Sequence, residues 1–415
     1  MITHFLRLIL ARQIEPFIFK GGIKDEINYE QKNIGIYIHI PFCEKICSFC
    51  PYNKVEYDKK LAEKYFTALI KEIDLVGRKL KKRKEVTSLY FGGGSPALAG
   101  NHLSKITEKV REYFDIKGNC GIELHPSNIN ITTLNEIKKA GFDMVSIGVQ
   151  SFQEKCLETL GREKTDIAPL LKLVAEIGFK AIDVDLIFGI LGQNNADLEN
   201  DFSAAVLNGA TQISTYPFID FSYANNKKKP LGQKDKKKML ETLSRTSERL
   251  GYCRNSIWTF IKKDTPKYSS ITRDNFIGFG PSATTLVKEC FKVNTFSLDE
   301  YIKRVEEAQI PTALTLAFNE RARALYWLFW SCYNMSIDRK AFKEIFNKEL
   351  EEFFGGELNV SSKLGFIERN LSGYNLTEKG MYYFHIVEQK YTHQYIDKTW
   401  KIAGQKAWPE KIKLY

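Results

Sequence analysis

Cys43, Cys47 and Cys50 constrain this chain more than any other residues. They stand in Pro41-Phe42-Cys43-Glu44-Lys45-Ile46-Cys47-Ser48-Phe49-Cys50, a C-x3-C-x2-C spacing, directly after the apolar run Ile34-Gly35-Ile36-Tyr37-Ile38-His39-Ile40. That run reads as a buried strand, so the fold must end a strand in a loop that turns three thiols toward one place. Thiolates are soft donors suited to iron–sulfur clusters, and three of them on a [4Fe–4S] cubane leave one iron open to chelate a small molecule and pass it an electron. A zinc site is the alternative, but zinc favours four ligands with a second C-x-x-C or a His pair downstream. The other cysteines, Cys120, Cys156, Cys253, Cys290 and Cys332, are single and scattered, which leaves His39 and His125 as candidate fourth ligands. The spacing favours the cluster.

Strand and helix signals alternate from residue 34. Candidate strands cover 34–40, 86–92, 120–125, 143–149, 180–188 and 211–217, with helical stretches such as 59–80 and 103–114 between them. This alternation predicts an α/β fold with parallel strands and helices outside, an incomplete (β/α)6 barrel. Chemistry in such barrels gathers at the C-terminal ends of the strands, and the cysteine loop follows the first of them. Residues 256–260 and 276–282 read as strand and glycine-rich turn that extend the sheet. From 316 the chain turns helical, and 337–354, 364–368 and 374–380 resemble a winged-helix-like cap. The expected division is an N-terminal segment at 1–33, the barrel at 34–217, a sheet extension at 218–315 and the cap at 316–415.

The 415 residues exceed one ordinary core, and the hydrophobic content of 43% is ample for a globular interior. Eight cysteines without a secretory signal predict a reducing, cytoplasmic setting. The net charge of +11 is spread along the chain, densest at 227–238, where it reads as a solvated loop and helix start. No basic patch interleaved with aromatics argues for nucleic acid. An anionic small-molecule substrate, or an acidic flavodoxin- or ferredoxin-type electron donor, fits the charge equally well. No apolar run reaches transmembrane length. The amphipathic stretch at 1–12 reads as a helix packed on the body, with peripheral membrane contact as the alternative.

The chain resembles the radical S-adenosylmethionine (SAM) superfamily, whose signature has the spacing of Cys43, Cys47 and Cys50. Tyr37-Ile38-His39-Ile40-Pro41-Phe42-Cys43, Leu89-Tyr90-Phe91-Gly92-Gly93-Gly94-Ser95-Pro96, Ser146-Ile147-Gly148-Val149-Gln150-Ser151-Phe152, Leu160-Gly161-Arg162 and Asp185-Leu186-Ile187-Phe188-Gly189 narrow the resemblance to the HemN-like branch, around oxygen-independent coproporphyrinogen III oxidase. It implies that Cys43, Cys47 and Cys50 bind a [4Fe–4S] cluster and that SAM chelates the fourth iron, to be cleaved to methionine and a 5′-deoxyadenosyl radical. Phe49 would screen the cluster and pack near adenine. Gly92, Gly93 and Gly94 would let the backbone reach the amino group of SAM. The resemblance further puts Glu123 near the polar groups of SAM, Gln150 and Asp185 at its ribose, Arg162 at its carboxylate and Tyr37 near the cluster. A ribose needs acceptors and a carboxylate a guanidinium fork. The alternative is that each is a rim residue satisfied by its neighbours. No further catalytic side chain is singled out.

Three features depart from the oxidases of that branch. Tyr52 stands where they usually carry a fourth cysteine, a long N-terminal arm is expected to be missing, and Gly189-Ile190-Leu191-Gly192-Gln193 lacks the usual proline. The branch also contains methyltransferases thought to hold two SAM molecules, which 391–400 and Trp408-Pro409 resemble. The sequence therefore leans toward C-methylation or methylene transfer to an unactivated carbon. Oxidative decarboxylation of coproporphyrinogen III is the first alternative and haem carriage the second. The six histidines fall in no haem signature. Room for a second SAM is expected between the barrel mouth, the 276–282 turn and the cap.

Overall fold

The computed structural model describes residues 8, 10, 12, 15–22, 29, 31, 34–224, 226, 228–269 and 274–414. The amphipathic stretch expected at 1–12 lies outside them apart from residues 8, 10 and 12. No described helix is long and apolar enough to cross a membrane.

Six strands lie side by side in chain order, all parallel: β1 (Ile34–Ile40), β2 (Lys84–Gly93), β3 (Phe114–Leu124), β4 (Met144–Gln150), β5 (Ala181–Phe188) and β6 (Gln212–Pro217). Their near-continuous apolar runs are what a sheet covered on both faces needs. Helices α1 (Lys59–Gly77), α2 (His102–Tyr113), α3 (Ile131–Lys139), α4 (Glu154–Thr159), α5 (Ile167–Glu176) and α6 (Asn195–Leu207) form the returns. In α1, Asp58 caps the first turn by accepting the Leu61 N–H, and Tyr65, Phe66, Leu69 and Ile73 form one buried stripe. The sequence-predicted strands recur with small shifts. β3 starts at Phe114 rather than 120, because Phe114–Ile116 already pair with Lys84–Val86.

The sheet does not close on itself. Past β6 it continues with antiparallel strands Thr259–Lys262 and Tyr252–Arg254. Past β1 comes Asn275–Phe279, again parallel, and then an antiparallel run that ends with Phe17–Lys20 beside Lys411–Leu414. The open α/β barrel with a sheet extension is therefore the architecture of the chain, in 14 strands. A small sheet of Ser336–Asp338, Gly373–Leu376 and Ile367–Arg369 carries the winged-helix-like part with helices Glu320–Tyr333, Arg339–Phe346 and Leu350–Lys363. Helix Glu378–Tyr391 runs through a π-helical turn, Thr392–Ile396, into Asp397–Gln405.

One expectation about charge fails. Lys236, in the basic stretch read as solvated, is buried: its Nζ donates to the Phe218 carbonyl at 2.8 Å and to Gln389 Oε1 at 3.4 Å. Gln389 also meets His385 Nε2 at 2.9 Å, and His385 Nδ1 accepts from the Trp258 indole at 2.8 Å. A polar seam therefore joins helix Glu378–Tyr391 to the barrel, where periodicity alone shows only a charged helix start.

Glu72 of α1 is buried, and its carboxyl binds the Gly280 N–H and the Tyr301 hydroxyl through Oε2 and the Asn294 amide through Oε1. Burial pushes its pKa up from 4.5 to about 7. The folded state thus keeps a proton that the unfolded chain releases, so the stabilisation is full below pH 4.5 and declines as pH rises toward 7. Anaerobic urea unfolding from pH 5 to pH 8 should show a loss of about 2–3 kcal/mol that Glu72→Gln removes.

Candidate active site

The C-terminal ends of β1 to β6 open onto one cavity of about 470 Å³. Cys43, Cys47, Phe49, Cys50, Gly93, Gly94, Glu123, Gln150, Arg162 and Asp185 all line it. Gly92 stands one residue behind: a Cβ there would come within 2.9 Å of Glu123 Oε2. Tyr37 faces a second cavity of about 240 Å³, which shares Tyr52, Tyr90, Gly93 and Glu123 with the first. This second space lies against Phe276, Ser282, Trp330 and Trp400, between the mouth, the 276–282 turn and the cap.

The cysteine loop is tied at both ends. Cys43 pairs with Glu56 across a short ladder, the Tyr57 N–H donates to the Cys43 carbonyl, and Lys54 Nζ donates to the Cys50 carbonyl at 2.7 Å. Ser48 Oγ reaches the Leu160 carbonyl at 3.0 Å. The exit of β2 bonds to the exit of β1, Gly94 N–H to the Ile40 carbonyl and Ser95 N–H to the Phe42 carbonyl, each at 2.7 Å. Gly94 must lack a side chain: a Cβ would lie 2.4 Å from the Phe42 oxygen and 3.0 Å from Cys43 Sγ.

Gln150 ends β4 in the left-handed region, φ 71°, at a bulge against β5. Such strain in a non-glycine residue clusters where a side chain is re-aimed toward a site. Gly148 leaves the room: a Cβ would fall 2.9 Å from Gln150 Nε2 and 3.8 Å from an Arg162 nitrogen. Glu123 accepts the Tyr90 hydroxyl at 2.6 Å and the Gly93 N–H at 3.0 Å. Ser146 Oγ donates to Asp185 Oδ2 at 2.9 Å, and Ser214 Oγ to Asp183 Oδ2 at 2.8 Å.

The electrostatics are those of a site lacking its charges. Burial pushes Cys43 up to about 12, and the neighbouring Cys50 and Cys47 thiolates add to it. Burial also raises Cys50, Glu123 and Asp185, the last further by the charge of Asp183, which itself rises to about 7. Desolvation lowers Arg162, against the opposing pull of Cys47, Cys50, Asp185 and Cys43. The donor set fits an iron–sulfur cluster: three thiols share one cavity wall, and two of them, Cys43 and Cys50, are kept protonated by burial unless a cation offsets it. His39, one candidate fourth ligand, has both nitrogens engaged, by the Tyr37 hydroxyl at 2.9 Å and the Asn53 carbonyl at 2.8 Å. His125 lines the cavity and holds Ser127 through Nδ1. The carboxyls of Glu123 and Asp185 with the Arg162 guanidinium complement a molecule that carries a sulfonium, an ammonium and a carboxylate.

Several lining residues escape a motif-based reading. Tyr52 walls both cavities and meets Trp400 at 5.9 Å between ring centroids. Asp183, Ser146 and Ser214 form the floor. Asp183 had a signal, its period-two spacing from Asp185 on one face of a strand. Tyr52 stood out only as a departure from the oxidase motif, and Tyr268 and Tyr333 had no signal, since their approach depends on chain folded back from far in sequence.

Comparison with known proteins adds four findings. The model of the radical SAM superfamily matches residues 37–205. The haem chaperone HemW of Bacillus subtilis (strain 168) is 26% identical over 362 residues, spanning 83% of this chain and 95% of that protein. The oxygen-independent coproporphyrinogen III oxidase of Escherichia coli (strain K12) is 23% identical over 398 residues, spanning 88% and 87%. The solved structure of coproporphyrinogen III oxidase (HemN) from Escherichia coli superposes with a TM-score of 0.77 at 22% identity, over 92% of this chain and 98% of that one, a likeness of fold. These relatives favour the oxidase and haem-carrier alternatives over the expected one-carbon transfer, which they do not support. Residues 37–205 thus form a radical SAM domain, of the kind that works with a [4Fe–4S] cluster and SAM, in a chain similar over most of its length to HemW and to oxygen-independent coproporphyrinogen III oxidase.

Proposed function

We propose that the chain is a radical SAM enzyme that oxidatively decarboxylates a porphyrinogen propionate, as its oxidase relatives are named for doing. One observation carries this reading: every cysteine and polar residue expected around cluster and SAM, Tyr37 and Gly92 aside, lines a single cavity. Haem carriage would leave that constellation without a task. It would also need an axial ligand, and the histidine in the aromatic cavity, His39, has both ring nitrogens engaged.

Cys43, Cys47 and Cys50 would hold the cluster. Arg162 would take the carboxylate of SAM, Glu123 and the Gly93–Gly94 backbone its ammonium, and Gln150 with Asp185 its ribose. When bound, cluster and SAM together supply a 5′-deoxyadenosyl radical. The protein orients and encloses. Tyr223 donates its hydroxyl to the Pro51 carbonyl at 3.1 Å, and Asp397 accepts the Ser222 N–H at 2.7 Å, so the C-terminal helices are fastened over the cysteine loop. The second cavity, walled by Tyr37, Tyr52, Phe276, Phe296 and Trp400, suits a flat, weakly polar ring system beside the first. Conversion of a propionate to a vinyl group removes one hydrogen atom, one carbon dioxide and one electron. Bound SAM would supply the group that takes the hydrogen atom, and the oxidised form of a flavodoxin- or ferredoxin-type carrier would take the electron. An acidic flavodoxin- or ferredoxin-type donor is the proposed reductant, attracted by the basic surface.

Anaerobically reconstituted protein with reductant, SAM and coproporphyrinogen III should yield 5′-deoxyadenosine and a product that has lost carbon dioxide, read by mass spectrometry. S-adenosylhomocysteine with a methylated product would establish one-carbon transfer instead. Stoichiometric haem binding without SAM turnover would establish the carrier. Arg162→Ala and Asp185→Asn should keep the cluster absorbance and each weaken SAM binding about ten- to hundred-fold, the weight of a charge-assisted hydrogen bond. Gly94→Ala should lower iron content after reconstitution, because the new methyl group displaces the Phe42 carbonyl and Cys43.

A further inference from the structure

The first cavity extends past Asp185 to a floor that the cluster and SAM do not account for. Ser256 and Thr259 from the hairpin after β6, Lys267 and Tyr268 from the following loop, and Tyr333 at the end of helix Glu320–Tyr333 line it. The loop is fixed: Gln212 donates to the Tyr268 carbonyl at 2.9 Å and accepts the Tyr268 N–H at 3.0 Å. The ring of Tyr268 occupies space that a side chain at 121 would take, since a Cβ on Gly121 would come within 2.7 Å of it.

Ser256 and Tyr268 are 1% and 5% exposed, and their hydroxyls lie beside those of Tyr333 and Tyr90 without completing a hydrogen bond of good geometry. A buried hydroxyl without a partner is costly, so both point to a ligand that belongs there. The carboxylates of the floor are already used: Asp183 takes Ser214 and Ser146, and Asp185 takes Ser146. The unspent capacity of the floor is to donate. Burial raises the hydroxyls of Tyr268 and Tyr333, which keeps them protonated as donors. Lys267 adds a cation, steadied by Asn334 Oδ1 at 2.8 Å and the Asn255 carbonyl at 3.4 Å. The other cations lining the cavity have tasks: Arg162 faces the thiols and Asp185, Lys45 pairs with Glu163, and Lys54 holds the cysteine loop.

We propose that this floor is a substrate subsite that receives a carboxylate arm, with Lys267 as counter-ion and Ser256 and Tyr268 as hydrogen-bond donors. The inference rests on the reading that SAM fills the mouth of the cavity and the substrate the rest. It adds residues that set specificity for an acidic substrate over its neutral analogue.

Equilibrium binding of coproporphyrin III and of its tetramethyl ester to the reconstituted, SAM-loaded protein, followed by fluorescence, tests it without turnover. The wild type should prefer the acid to the ester by about ten-fold or more. Lys267→Gln, Ser256→Ala and Tyr268→Phe, each with an unaltered cluster spectrum, should lose most of that preference while binding the ester as the wild type does. Equal binding of acid and ester by the wild type, no saturable binding of the acid, or a preference untouched by all three substitutions would overturn the subsite. A retained preference with no loss of carbon dioxide on turnover of the porphyrinogen would instead count against the proposed reaction alone.

Discussion

The contact on which the rest depends is the bond between two strand exits. Where β1 and β2 end, the Gly94 N–H meets the Ile40 carbonyl and the Ser95 N–H meets the Phe42 carbonyl. Only with no Cβ at 94 can the turn after β2 lie flat against Phe42 and Cys43. This contact fixes where the cysteine loop leaves the sheet. Parallel register then fixes everything else, because Glu123, Gln150 and Asp185 each sit near the same end of a neighbouring strand. A loose loop would not serve. Burial makes Cys43 and Cys50 resist ionisation, and Cys43 is raised further by the charges of Cys50 and Cys47, so the backbone must hold the thiols together for a bound cluster to supply the compensating charge.

The same logic governs the other side of the cavity. Glu123, Asp183 and Asp185 are raised by burial and Arg162 is lowered, so burial disfavours each charged form. A ligand carrying both signs reverses these penalties, which makes its binding and the ionisation of the site one linked equilibrium. The seam of Lys236, Gln389, His385 and Trp258 shows a different solution for the cap. Burial lowers His385 to about 3, so it is neutral, and lowers Lys236 to about 8, so the one charge of the seam is held by the Phe218 carbonyl and Gln389 and is lost above that pH.

What was legible in the sequence follows from locality. The parallel strands and most of their limits could be read because each carries a full apolar run and a helix return. The cavity-lining set could be read because these residues sit at strand ends or just beyond them, Arg162 after α4 included. Gln150 shows the limit of that reading: its place was legible, its left-handed backbone was not. The floor was not legible, since Ser256, Lys267, Tyr268 and Tyr333 come from separate elements brought together by the antiparallel extension. Lys236 was misjudged because a lysine in a basic run looks solvated until a carbonyl from another strand exit is found at its end.

Tyr52 draws the two cavities into one argument. In the HemN-like oxidases a cysteine is usual at this position; here a half-exposed aromatic ring leans on Trp400 of the last helix and walls both spaces. Its neighbours bind it in place, with Lys54 Nζ on its carbonyl and Asn53 bridging His39 to Phe296. The ring is therefore a partition anchored to both the cysteine loop and the cap. It sets how far a flat molecule in the aromatic space can extend toward the thiols. The substitution thus changes the shape of the substrate side and leaves the three-thiol wall as it is. One residue thus serves both sides: its carbonyl takes Lys54 within the cysteine loop, and its ring meets Trp400 of the last helix.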